Sequence, residues 1–93
     1  MLQTVDYALS WDEYSRRLGV NLQRLRIQRG LSQERVAFDA GMSRLQYQRL
    51  ERGGFKGDPP SNPTARTLIA LAQILGVTVD ELLPQPWPDM HAK

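Results

Sequence analysis

The chain has 93 residues, from which we expect one domain with a modest core and no second folded unit or attached sensor or catalytic domain. It contains no cysteine, which excludes disulfides and thiolate metal sites and favours a cytoplasmic location. Residues 16–56 hold ten basic and three acidic side chains, a net charge of +7, whereas the rest hold two basic and seven acidic, a net charge of −5. This asymmetry predicts one surface that meets a polyanion.

The sequence predicts a first helix that begins at Ser10 and ends before Gly30. Ser10 and Glu13 have the spacing of a capping box, in which each side chain bonds the other's backbone N–H. An apolar stripe follows at steps of three or four, formed by Trp11, Tyr14, Leu18, Leu22, Leu25 and Arg29. Gly19 lies within this stretch, so an alternative of two shorter helices stays open.

Two short helices are predicted next. Ser32 caps a helix that runs to about Ala40 and is ended by Gly41, and Ser43 caps a helix that ends at Gly53. The inward side chains are Val36, Ala37 and Ala40 in the first and Tyr47 and Leu50 in the second. Tyr47 is either part of the core or emerges at its rim.

A fourth and a fifth helix complete the prediction. Asn62 or Thr64 begins the fourth, with Pro63 suited to its first turn, and Gly76 ends it. Residues 78–81 form a capping box that opens a short fifth helix, which extends through residue 83. We therefore predict an all-α, compact bundle of about five helices, with an N-terminal extension and the start of helix one (1–17), a core domain (18–83) and a proline-rich tail (84–93).

Residues 33–52 have the features of a helix-turn-helix motif. Ala37 is small where two helices must cross closely, and Gly41 allows a tight turn that side-chained residues disfavour. The core positions are apolar, namely Val36, Ala40, Met42, Tyr47 and Leu50. The agreement of these positions predicts a short helix, a turn and a second short helix with an outward face.

Four segments, residues 22–33, 41–44, 50–53 and 71–83, resemble the Cro/lambda-repressor-type family, also called the XRE family. The resemblance covers about residues 18–83. It implies a regulator that binds double-stranded DNA, with its third helix in the major groove and the start of its second helix on the phosphate backbone. It also implies a homodimer, and we expect a repressor that acts on a palindromic operator.

The resemblance and the helical spacing together assign roles to residues. If Tyr47 and Leu50 point inward, the outward side chains are base-contact candidates, namely Arg44, Leu45, Gln48 and Arg49. The phosphate-contact candidates are Gln33, Ser43, Arg52 and Lys56. Arg26 and Glu51 match a pair that forms a largely buried salt bridge between helices one and three in the family. The alternative for the basic residues is a merely solvated surface.

Several features lie outside this pattern. The loop 53–63 is longer than the family's common spacing, and its Phe55 and Lys56 are predicted either to approach DNA or to fold over the core. Val20 and Ile27 lie opposite the core stripe and are either isolated or covered by the N-terminal segment. Trp87 is expected to contact a partner subunit, to fold back on helices four and five, or to lie in a disordered tail.

Other functions receive less support from the sequence. An enzyme needs a nucleophile, base or metal cluster, yet Glu13 and Glu81 are assigned as caps and His91 stands alone, so we predict no catalytic residue, metal or cofactor. No apolar run approaches the roughly 18 residues of a membrane span, and residues 1–10 hold no basic residue, unlike a signal peptide. The remaining alternative is a protein-binding module, such as an antitoxin, that contacts its partner through the tail.

Overall fold

The described residues, 9–53 and 59–91 of the computed structural model, form five helices and no strand. In chain order the helices are α1 (Trp11–Gln28), α2 (Gln33–Asp39), α3 (Arg44–Arg52), α4 (Ala65–Leu75) and α5 (Val79–Leu82). The predicted all-α class is confirmed. No helix of this part of the chain is both long and apolar enough to cross a membrane.

Hydroxyl side chains set where the helices begin. Each N-cap hydroxyl accepts a hydrogen bond from the backbone N–H three residues later, and the five caps are Ser10, Ser32, Ser43, Thr64 and Thr78. Thr64 rather than Asn62 caps α4, so Pro63 lies just before the helix and not in its first turn. The expectation for Glu13 is also wrong, because its carboxylate accepts hydrogen bonds from Arg16 and Arg17 instead of closing a capping box.

α1 is continuous through Gly19, so the alternative of two helices is wrong. Gly19 is buried, and a Cβ at this position would overlap the backbone carbonyls of Leu50 and Glu51 in α3. At the end of α3, Gly53 has φ +59°, and a Cβ at this position would overlap the backbone of Ser15 in α1. The two glycines therefore let α1 and α3 cross with their backbones in contact.

All five helices contribute buried side chains to one core. Its buried members are Leu18, Leu22, Leu25, Val36, Ala37, Tyr47, Leu50, Leu71, Ala72, Leu75 and Leu82. Tyr47 has 0% exposure, so the placement of its side chain at the rim is wrong. The predicted inward face of α3 is thus the face that the core covers.

The tail residue Trp87 lies against α1. Its ring contacts Tyr14 at a centroid distance of 6.4 Å, and Tyr14 in turn stacks on Trp11 at 5.6 Å. The Tyr14 hydroxyl donates to the backbone oxygen of Pro84 at 2.9 Å. The ring contact is therefore with α1, which is not among the three placements expected for Trp87, and it ties the start of the tail to the first helix. Val20 and Ile27 are both exposed, and residues 1–8, the segment expected to cover them, lie outside the described residues.

Candidate nucleic-acid interface

One side of α3 is open to solvent. Arg44, Leu45, Arg49 and Arg52 are all exposed, and Leu45 is 54% exposed despite its apolar side chain. The opposite side is buried through Tyr47 and Leu50. The structure therefore brings four of the predicted contact residues to one surface of one helix.

Gln48 differs from its exposed neighbours, because it is half-buried and turned toward α2. Its side-chain nitrogen Nε2 donates to Oε1 of Gln33 at 3.3 Å. Gln33, the first residue of α2, donates through its own Nε2 to Oε1 of Glu51 at 2.8 Å. Two predicted contact residues from different helices, Gln33 and Gln48, are thus joined by one hydrogen bond, a connection that the sequence pattern did not indicate.

Arg26 of α1 and Glu51 of α3 form a two-pronged ion pair. Arg26 Nε donates to Glu51 Oε2 at 2.6 Å, and the second prong is 3.2 Å long. The side chains are only 12% and 5% exposed. Arg26 also donates to the backbone oxygen of Leu31 at 2.9 Å, so the pair joins α1, α3 and the turn before α2.

The ion pair keeps Glu51 ionised. Burial alone would raise the pKa of this carboxyl, but hydrogen bonds, first among them those from Arg26, outweigh burial and lower the pKa below its ordinary value. The neighbouring Tyr47 hydroxyl is different, because burial raises its pKa. Although it lies beside Glu51, it has no hydrogen-bond partner with normal geometry in the described part of the chain.

Ser43 combines two features at the start of α3. Its hydroxyl accepts from the backbone N–H of Gln46 at 3.1 Å, and the Gln46 side chain accepts from the backbone N–H of Ser43 at 2.9 Å. This capping box fixes the beginning of the exposed helix while Ser43 remains exposed. Lys56, the remaining phosphate-contact candidate, lies outside the described residues.

An open depression of about 420 Å³ lies where α1, α2 and α3 meet, and it is lined by Gln23, Gln33, Gln48, Glu51 and Arg52. Gln23 of α1 was not among the predicted site residues. Its position three residues before Arg26 places both on the same side of α1, and this spacing is the signal that identifies it. The depression is therefore lined largely by amide groups beside a buried carboxylate.

The arrangement of a short helix, a tight turn and a second helix with an exposed face defines a helix-turn-helix protein. A family model described as helix-turn-helix matches residues 22–82. An uncharacterized HTH-type transcriptional regulator of Sinorhizobium fredii, y4dJ, is 44% identical over 66 residues, which span 71% of this chain and 78% of that protein. The chain therefore belongs to the XRE-type helix-turn-helix family of transcriptional regulators, as the sequence resemblance indicated.

Two solved structures are similar to the fold. The restriction-modification controller protein C.AhdI from Aeromonas hydrophila has a TM-score of 0.64 and 32% identity, covering 73% of this chain and 94% of its own. The clp gene regulator ClgR from Corynebacterium glutamicum has a TM-score of 0.66 and 23% identity, covering 75% and 68%. The likeness to ClgR concerns the fold alone.

Proposed function

We propose that the protein binds double-stranded DNA sequence-specifically through α3 and thereby regulates transcription. The observation that carries this proposal is the exposed row formed by Arg44, Leu45 and Arg49 on α3. The opposite face of α3 packs against α1. An α-helix fits the major groove, and a fixed helix presents its side chains to base edges in a constant register.

The exposed side chains suit different base edges. The guanidinium groups of Arg44 and Arg49 match the two acceptors of guanine, and the Leu45 side chain suits the methyl group of thymine. Each good arginine–guanine pair contributes roughly 1 to 3 kcal/mol of discrimination. We therefore assign Arg44 and Arg49 as the main base readers and Leu45 as an apolar contact.

Phosphate contacts are proposed for the residues that border this face. Ser43 is exposed beside the first turn of α3, and its hydroxyl retains a proton to donate while it caps the helix. Gln33 retains a second amide N–H after its bond to Glu51. Arg52 and Lys56 add positive charge, which favours binding to the DNA phosphates whatever the base sequence.

We further propose that the protein is a repressor that acts as a homodimer on a palindromic operator. α3 has nine residues and reaches only a short half-site, so a second copy related by two-fold symmetry doubles the specific contacts. The second copy is assigned to the surface of α5 and the tail, where Trp87 is 43% exposed. The alternative of a protein-binding antitoxin is less favoured, because the family model and the relative that match this chain are those of helix-turn-helix transcriptional regulators.

The test is selection of bound sequences from a random duplex library, followed by titration at several salt concentrations. Arg44→Ala and Arg49→Ala are compared with Arg66→Ala, which removes an exposed arginine from α4. We expect a palindromic site, and loss of preference at one position per half-site for each α3 variant, with Arg66→Ala close to wild type. Binding that depends on salt but not on sequence would overturn the proposal.

A further inference from the structure

A continuous chain of hydrogen bonds connects the buried ion pair to the exposed side of α3. Glu51, held by Arg26, accepts from Gln33 at 2.8 Å, and Gln33 accepts from Gln48 at 3.3 Å. We refer to Glu51, Gln33 and Gln48 as the amide relay. It starts at a carboxylate side chain that is 5% exposed and ends at a half-buried glutamine on the rim of the open depression.

The chemistry of the first group fixes the direction of the relay. A carboxylate only accepts hydrogen bonds, so the end of Gln33 that faces Glu51 must be its NH₂ group. The Gln33 oxygen then faces Gln48, and because this oxygen also only accepts, Gln48 must turn its own NH₂ toward it. The orientation of both amides therefore follows from the network and not from an arbitrary assignment of nitrogen and oxygen.

We propose that Gln48 reads adenine, and that Glu51 acts through Gln33 as the positioning residue that fixes this preference. With one N–H used by Gln33, Gln48 keeps a second N–H donor and its oxygen acceptor. Adenine presents one acceptor, N7, and one donor, N6, in the major groove, which complement this pair. Guanine presents two acceptors, one of which would face the Gln48 oxygen. This inference rests on the proposed DNA binding and names the base that one of its contacts selects.

A purely structural role for the relay makes a different prediction. A contact that only ties α2 to α3 changes stability and affinity at all sites alike, whereas a contact that orients Gln48 changes preference at one base pair. The informative quantity is therefore a ratio of affinities, measured for the selected site and for copies in which single A·T pairs are replaced by G·C. The melting temperature of each variant is recorded beside it.

Three variants and one control make the test specific. Gln48→Ala removes the reader, and Gln33→Ala removes its support while Gln48 remains. Gln33→Lys keeps a donor to Glu51 but can only donate to Gln48, so Gln48 must turn its oxygen inward and its NH₂ toward the groove. Gln73→Ala removes an exposed glutamine of α4 and is the matched control.

We expect Gln48→Ala to lower the A·T over G·C ratio at one position by about 5- to 150-fold, the range for a bidentate contact. Gln33→Ala should lower the ratio at the same position, and Gln33→Lys should shift it toward G·C. Gln73→Ala should leave every ratio unchanged. If Gln33→Ala lowers the melting temperature strongly, the conclusion rests on Gln33→Lys, because the lysine retains a donor to Glu51.

Two results would overturn the inference alone. One is that the Gln33 variants weaken binding equally at all sites and leave the ratio intact, which would make Gln33 a phosphate contact only. The other is that Gln48→Ala changes no ratio. Absence of sequence preference in the wild-type protein would instead overturn the proposed function together with this inference, so the two failures are distinguishable.

Discussion

The backbone of Gly19 in α1 lies directly against the carbonyl oxygen of Glu51 in α3. Because no side chain separates the two helices here, α3 approaches α1 more closely than a larger residue would allow. Glycine within a helix costs about 1 kcal/mol relative to alanine, and the close packing of α3 offsets this cost. The contact holds the C-terminal half of α3 in a fixed position.

Gly19→Ala should lower the free energy of unfolding by about 2 kcal/mol, because the added methyl group meets backbone atoms that cannot rotate away. Alanine would otherwise stabilise a helix by roughly 1 kcal/mol, so the sign of the effect is diagnostic. Urea unfolding of the variant measures it. Val20→Ala, at a 63% exposed neighbour, is the control and should change stability by less than about 0.5 kcal/mol. A stabilised Gly19→Ala protein would contradict the close contact.

The elements of the fold were predictable where the signal is local. Ser32, Ser43 and Thr78 cap their helices as expected, because an N-cap depends only on the hydroxyl and the next three residues. Glu13 shows the limit of such signals. Arg16 and Arg17 lie within one turn of Glu13. The Glu13 carboxylate accepts hydrogen bonds from these charged donors and not from the backbone N–H of Ser10.

Features that depend on a second helix were not predictable from the sequence. Gly19 reads locally as a helix interruption, and only the position of α3 shows why glycine is needed there. The bond between Gln33 and Gln48 joins residues 15 positions apart whose spacing has no periodic meaning. Trp87 likewise contacts Tyr14, which lies 73 positions earlier in the sequence. The exposed face of α3 was predictable, but the groups that orient its members were not.

Removing one partner of the Arg26–Glu51 pair should cost more than removing both. Glu51→Ala leaves a guanidinium that is 12% exposed without its carboxylate, and we expect a loss of about 3 to 5 kcal/mol in unfolding free energy. The combination Arg26→Met and Glu51→Met should recover most of this loss, because neither charge remains. Urea unfolding of the three variants measures the difference. A loss below about 1 kcal/mol for the single variant would indicate a pair solvated like one at the surface.

The Arg26–Glu51 ion pair also makes the free energy of unfolding depend on pH. The pKa of Glu51 is lowered in the folded protein from its ordinary value of 4.5, so the unfolded chain takes up the proton first as the pH falls. The stabilising contribution is complete above pH 4.5 and is lost as the pH falls through the lowered pKa. The stability difference between wild type and Glu51→Gln should therefore shrink between neutral pH and acid, as urea midpoints at both pH values would show. A constant difference would contradict the lowered pKa.

Tyr14 makes a separate prediction at alkaline pH. Burial raises its pKa from 10.0 to about 12, so its contribution to stability is complete below pH 10 and falls as the pH rises through the folded value. A titration followed by tyrosinate absorbance in the Tyr47→Phe background, which removes the other buried phenol, should show a group that ionises late. Trp87→Ala uncovers Tyr14 and should move its pKa back toward 10. An unchanged titration would mean that the tail does not shield this ring.

Tyr47→Phe should leave the protein as stable as wild type or more stable by up to about 1 kcal/mol. The ring remains in the core, and the substitution removes a buried hydroxyl that lacks a partner with normal geometry among the described residues; such a group costs about 1 to 3 kcal/mol. Tyr14→Phe is the matched control with the opposite sign, because that hydroxyl donates to the Pro84 oxygen. Urea unfolding of both variants gives the comparison. A clear loss for Tyr47→Phe would show that its hydroxyl donates to Glu51, and the carboxylate that directs Gln33 would then be held from both α1 and α3.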